Sequence, residues 1–125
     1  MSIARWIFWV AGVYGFAVLL PQYFLLERIG RDMPPAITHA EYFYGFIGVA
    51  AAWQVAFLLV GYDPPRYRPL MLVAALEKVS FGIAVAFLFA QQQVAASTLI
   101  FGMIDLLFAG LFVAAWRLTS QRVVE

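Results

Sequence analysis

Four long apolar stretches separated by three short polar links dominate this chain. They run over about residues 6–26, 42–60, 70–90 and 98–116. Each is close to the ~20 residues needed to cross a hydrocarbon core of ~30 Å. Backbone groups in lipid must hydrogen-bond one another, so each stretch is predicted to be a helix. The first follows Arg5 as a signal peptide would. It is longer than an h-region of ~7–15 residues, however, and no small-x-small cleavage pattern follows it. It is read as a retained helix with a kink at Pro21.

The links set the topology. Segment 27–40 (ERIGRDMPPAITHA) carries charges, Gly30 and the Pro34–Pro35 pair, and segment 61–69 (GYDPPRYRP) holds three prolines and two arginines. Segment 91–97 (QQQVAAS) is polar and uncharged. Such short connections join sequential antiparallel neighbours. The expected fold is all-α, an integral membrane up-down-up-down four-helix bundle formed by residues 1–125 as a single domain. Arg5, Arg66, Arg68, Arg117 and Arg122 fall on one side, and Arg28 and Arg31 on the other. The positive-inside rule then places both termini in the cytoplasm of a bacterium, with the chain multi-pass in its inner membrane. The second and fourth stretches share a faint echo, YGFI at 44–47 and FGMI at 101–104, and each contains Ala-Ala-Trp.

Composition fits this picture. The chain is 65% hydrophobic and 12% charged, whereas soluble domains are about half apolar and a quarter charged. A formal charge of +1 argues against nucleic acid as a partner. With no cysteine, disulfides, thiol catalysis and Cys-ligated clusters are excluded. A single histidine, His39, with Glu41 nearby does not supply the three or four ligands of a metal site. No metal is expected there, and Glu41 reads as a first-turn acid suited to the helix dipole.

Ionisable groups near the membrane centre cost at least ~2.5–3.5 kcal/mol on insertion scales, so Glu77, Lys78 and Asp105 call for an explanation. At ~1.5 Å rise per residue, Tyr14, Gln54 and Glu77 fall at similar depth in the inner half. Ser80 and Asp105 fall near the midplane by the same reckoning. Side chains lean towards their helix N-terminus, which sends Lys78 and Asp105 in opposite directions. A Lys78–Asp105 pair therefore competes with snorkelling of Lys78 to the inner surface. Spacing places Glu77, Ser80, Phe81 and Ala84 on one helix face, with Lys78 on its flank. The candidate ligand-binding set is Tyr14, Gln54, Glu77, Lys78, Ser80 and Asp105. Glu77 and Asp105 are the candidate catalytic pair.

Two segments, FYGFIGVAAAWQVAFLL at 43–59 and LVAALEKVSFGIAVAFLF at 72–89, flank a short basic turn. Over this half of the chain the sequence resembles the DoxX-like group of small bacterial four-helix membrane proteins, with the glutamate-then-glycine helix of that group. The resemblance implies a loosely characterised group in which some members are subunits of membrane oxidoreductases feeding quinone. Small multidrug exporters are similar in size but carry a glutamate in their first helix. No acidic residue lies between Arg5 and Glu27 here. The leading expectation is a non-enzymatic protein of the lipid bilayer. It would be an accessory partner of other membrane subunits or of its own copies, or a binder of a quinone-like or lipid-like molecule. A quinone or a lipid is the one cofactor class left open. The alternatives are an enzyme acting on an apolar lipid or quinone through Glu77 and Asp105, and a proton-coupled transporter working as a dimer.

Overall fold

The computed structural model describes residues 2–120. Its order is α1 (Ile3–Leu19), a 3-10 stretch (Leu20–Phe24), α2 (Leu26–Asp32), α3 (Ala40–Tyr62), α4 (Arg68–Ala90) and α5 (Ala96–Leu118). Four spans are long and apolar enough to cross a membrane: Ile3–Phe24, Ala40–Tyr62, Arg68–Ala90 and Ala96–Leu118. The described residues form no strand. The all-α class and the four apolar helices agree with expectation, and α3, α4 and α5 run slightly beyond the predicted limits.

The first span departs from a single helix through residue 26. Ser2 caps its start, its Oγ accepting from Arg5 N at 3.3 Å. At the far end Pro21 has no N–H to donate to Ala17, and the chain tightens into a 3-10 turn. The Gln22 side-chain amide donates instead to Val18 O at 3.0 Å. The following segment, expected to be a plain link, contains α2. Its charges Glu27, Arg28 and Asp32 face outwards, while Ile29 and Gly30 turn towards the protein.

Packing pairs α1 with α3 and α4 with α5, and α1 also lies against α5. Glycines permit the close approach. A methyl group at Gly12 would meet Leu58 of α3, and one at Gly82 would meet Leu106 of α5. Although joined by a short turn, α3 and α4 touch only sparsely, so sequence neighbours are not uniformly packed neighbours. Arginines fasten each hairpin at the end where α1 begins and α5 finishes. Arg5 donates to the carbonyls of Gly61 and Tyr62 at 3.0 and 3.1 Å. Arg68 donates to those of Trp116, at 3.0 Å, and Thr119.

The half of the bundle near that end is solid. Phe8 stacks on Phe112 with centroids 4.2 Å apart, and Phe57 sits edge-on to Phe112 at 5.0 Å. Met71, Ala74 and Ala115 fill the space around these rings and are fully buried. At the opposite end a smaller cluster of Leu19, Ile47 and Ala50 holds α1 to α3. Beside this smaller cluster the bundle is hollow, with Leu19 and Ala50 on the wall of the space.

Candidate functional site

The hollow is a cavity of about 670 Å³, bordered by all four long helices and by α2. That is within the ~300–1,000 Å³ typical of small-molecule sites. Ile29, Met33 and Ile37 line it from α2 and the loop after it, forming a cover at the end opposite the Phe8–Phe57–Phe112 layer. Its side walls are mostly apolar. Phe46 of α3 and Phe81 of α4 line it and stack on each other across the sparse seam, centroids 6.0 Å apart. Phe46 is 47% exposed, and at this sparse seam the ring pair is what joins the two helices beside the cavity.

The polar groups meet where the hollow ends against the solid half. Lys78 is only 4% exposed, and its Nζ donates to Asp105 Oδ1 at 3.3 Å. The same ammonium lies over the rings of Phe57 and Phe108, at 5.2 and 5.7 Å, a cation–π arrangement beside the ion pair. Snorkelling is overturned: the stem would have to pass the packed Phe8–Phe57–Phe112 layer to reach the terminal end. The assignment of faces on α4 is also reversed. Ala74, Ala75, Lys78 and Gly82 form the buried stripe, and Glu77 lies on the flank. Glu77 and Phe81, one turn apart, both reach the cavity from that flank.

Gln54 is 1% exposed. Its Nε2 donates to Ala50 O, one turn back on α3, at 2.8 Å. That bond fixes the amide orientation and leaves Oε1 buried without a hydrogen-bond partner. Gly15 of α1 makes room for it, since a methyl group there would fall on the Gln54 side chain. Glu77 Oε2 is likewise buried without a partner. Buried polar atoms are nearly always paired, so two such oxygens beside one cavity are unusual.

Of the six residues expected to form the site, Tyr14, Gln54, Glu77, Lys78 and Asp105 line this one cavity. They do not form two separate layers. Ser80 is not among them: it is exposed, and its Oγ donates to Glu77 O of its own helix at 2.9 Å. A serine satisfied by its own helix has no need of the bundle interior. The cover from α2 and the Phe46–Phe81 pair were not foreseen. Ile29 and Met33 stand four apart in a charged segment, a helical spacing that could have marked the cover.

His39 stands at the mouth of α3, paired with Glu41 at 3.0 Å and stacked on Tyr42. Among the described residues no group of three or more His, Cys, Asp or Glu side chains could hold a metal ion. No protein-family model, curated protein or solved structure matches this chain.

Proposed function

We propose that this protein is a membrane-embedded binder of a small, mostly apolar molecule of the lipid or quinone type, held in the cavity that the four long helices and α2 border. One observation carries the reading. A hollow of about 670 Å³ with apolar walls ends on a compact set of polar groups, Gln54, Glu77, Lys78 and Asp105. An apolar body with one polar head matches that distribution. The thin Phe46–Phe81 wall supplies a route from the surrounding lipid. The resemblance to a group linked to quinone-feeding oxidoreductases points the same way.

The setting proposed is the inner membrane of a bacterium with both termini in the cytoplasm. Arg5, Arg66, Arg68 and Arg117 at the terminal end, against Arg28 and Arg31 at the other, support that orientation. Arg122 lies outside the described residues. Native mass spectrometry of protein released from lipid nanodiscs tests the binding. The expected result is a retained molecule of a few hundred daltons, lost when Val18→Trp fills the cavity. A bare protein mass for both forms would overturn the reading.

A second reading is an enzyme acting on an apolar substrate, with Glu77 and Asp105 as acid and base. It is favoured by the fact that both carboxyls reach the same cavity. Comparing the lipids and quinones of membranes holding the native protein or Glu77→Gln would separate the two. A species chemically altered only by the native form supports catalysis, and identical profiles support binding alone.

A further inference from the structure

We infer that the molecule held in this cavity is polar at both ends, with one group at the Lys78–Asp105 pair and a second ~10–12 Å away beside Ser97 and Thr98. The inference rests on the binding reading above and adds a second polar group to its ligand.

The spacing is written on two helices that run in opposite directions. On α5, Thr98, Phe101 and Asp105 stand at i, i+3 and i+7, so they share one face, and all three line the cavity. The helical rise separates Thr98 from Asp105 by ~10 Å. On α1 and the 3-10 stretch after it, Tyr14, Val18 and Gln22 line the cavity at intervals of four residues. The two polar members of that row are ~12 Å apart. Tyr14 is level with the deep end of the α5 row, its ring 5.6 Å from that of Phe108, which follows Asp105 by one turn. Both helices therefore read polar, apolar, polar in the same register.

Each end can hold a polar group. At the deep end Asp105 takes one N–H of Lys78, which leaves two more and the Tyr14 hydroxyl. At the other end the Ser97 and Thr98 hydroxyls border the cavity, and Thr98 is half-buried. A hydroxyl both donates and accepts. Neither of these two is hydrogen-bonded to another described residue, in contrast to Ser80, whose Oγ is held by its own helix.

A ligand with a single polar group satisfies half of this arrangement. With that group beside Ser97 and Thr98, its hydrocarbon end would lie against Lys78, Asp105 and Tyr14. Those side chains stand at mid-span, where no water replaces a missing partner, and the mismatch is costly. Turned round, the same ligand would meet the ion pair and leave its methyl end among hydroxyls. An elongated apolar body carrying an oxygen function at either end meets both at once.

The test uses the full chain in nanodiscs and three probes with one eight-carbon chain: octane-1,8-diol, its isomer octane-1,2-diol, and octan-1-ol. The first, when extended, carries its oxygens about as far apart as the two ends of the cavity. Retention is read by native mass spectrometry, each probe normalised to its partitioning into empty nanodiscs. The 1,8-diol is expected to be retained about five- to tenfold over the other two, the worth of one additional hydrogen bond. The double variant Ser97→Ala, Thr98→Val should bring it down to their level and leave octan-1-ol unchanged, with thermal unfolding in the same nanodiscs confirming that the variant folds. A 1,8-diol retained no better than its isomer, or an excess that survives the double variant, would overturn the inference while leaving a binding cavity in place. Failure of all three probes to exceed their retention by Val18→Trp would overturn the binding reading itself.

Discussion

Lys78 of α4 and Asp105 of α5 meet at 3.3 Å inside the bundle, although each side chain starts out leaning away from the other. Lys78 lies ten residues beyond Arg68, so its Cα is ~15 Å along α4, near the middle of the span. The lean of Cβ is a small displacement beside the length of a lysine stem. Packing settles the outcome. Ala74, Ala75 and Gly82 bring α4 close to α5, and on that stripe Lys78 has Asp105 within reach and aromatic rings below.

Removing one member of this pair leaves the other buried without its partner. Lys78→Met is therefore expected to destabilise the protein by ~3–5 kcal/mol. The double variant Lys78→Met, Asp105→Leu should recover much of that loss, since apolar replacements of a buried pair are often neutral. Equilibrium unfolding in mixed micelles provides the comparison. A double variant as unstable as the sum of its two singles would show that the residues are not coupled.

The fit of Gln54 against Gly15 gives a second expectation. Gly15→Ala would place a methyl on the Gln54 amide and is expected to cost ~1–3 kcal/mol by overpacking. Gly45→Ala and Gly110→Ala meet nothing within 4 Å and serve as controls. Each should be neutral or gain up to ~1 kcal/mol from helix propensity. Shortening the amide with Gln54→Ala should relieve the Gly15→Ala defect specifically. If all three glycine variants behaved alike, close packing at Gly15 would not be the cause.

The sequence carried the four spans because a run of about twenty apolar residues has few other uses in a chain this small. It also carried five of the cavity's polar residues, since a charge or amide placed at mid-span is costly unless it turns inwards. What it hid depended on neighbours. Glu27, Arg28, Arg31 and Asp32 mask the apolar side of α2, so its role as a cover emerges only when Ile29 is seen over the cavity. The inward face of α4 is set by small residues meeting α5, which favours Lys78 over Glu77 at its centre. Ser80 followed a rule for polar groups that a hydroxyl can evade by bonding its own helix.

The Phe46–Phe81 stack predicts how ligand exchange responds to side-chain size at the seam. Phe81→Ala should open the wall and speed loss of the retained molecule, while stability falls by less than the ~3–5 kcal/mol of a fully buried ring. The absence of native cysteines makes the opposite experiment clean. Cysteines at 46 and 81 joined by a short bis-maleimide should slow exchange, and the unlinked double variant should not. Time-resolved native mass spectrometry in excess detergent measures both. Exchange rates insensitive to the cross-link would place the entrance elsewhere.

Arg5 and Arg68 occupy equivalent places in the two hairpins, and their removal should have equivalent effects. Each begins a helix and donates to the last carbonyls of its antiparallel partner, where the dipole's negative end favours a cation. Each guanidinium also lies by a tryptophan ring, Trp9 at 5.4 Å and Trp116 at 4.4 Å. Arg5→Ala and Arg68→Ala are each expected to cost ~1–3 kcal/mol, by loss of charged hydrogen bonds to otherwise unpaired carbonyls. Lysine at either position should restore only part of this. At position 5 it lacks the planar fork by which Nε and Nη2 reach two carbonyls. At position 68 it lacks the flat guanidinium that stacks on Trp116 while Nε serves both carbonyls. The two arginines serve separate hairpins, so the losses should add in the double variant to within ~0.5 kcal/mol. A strongly non-additive result would mean that the hairpins unfold as one unit at this end, and that the correspondence is one of geometry alone.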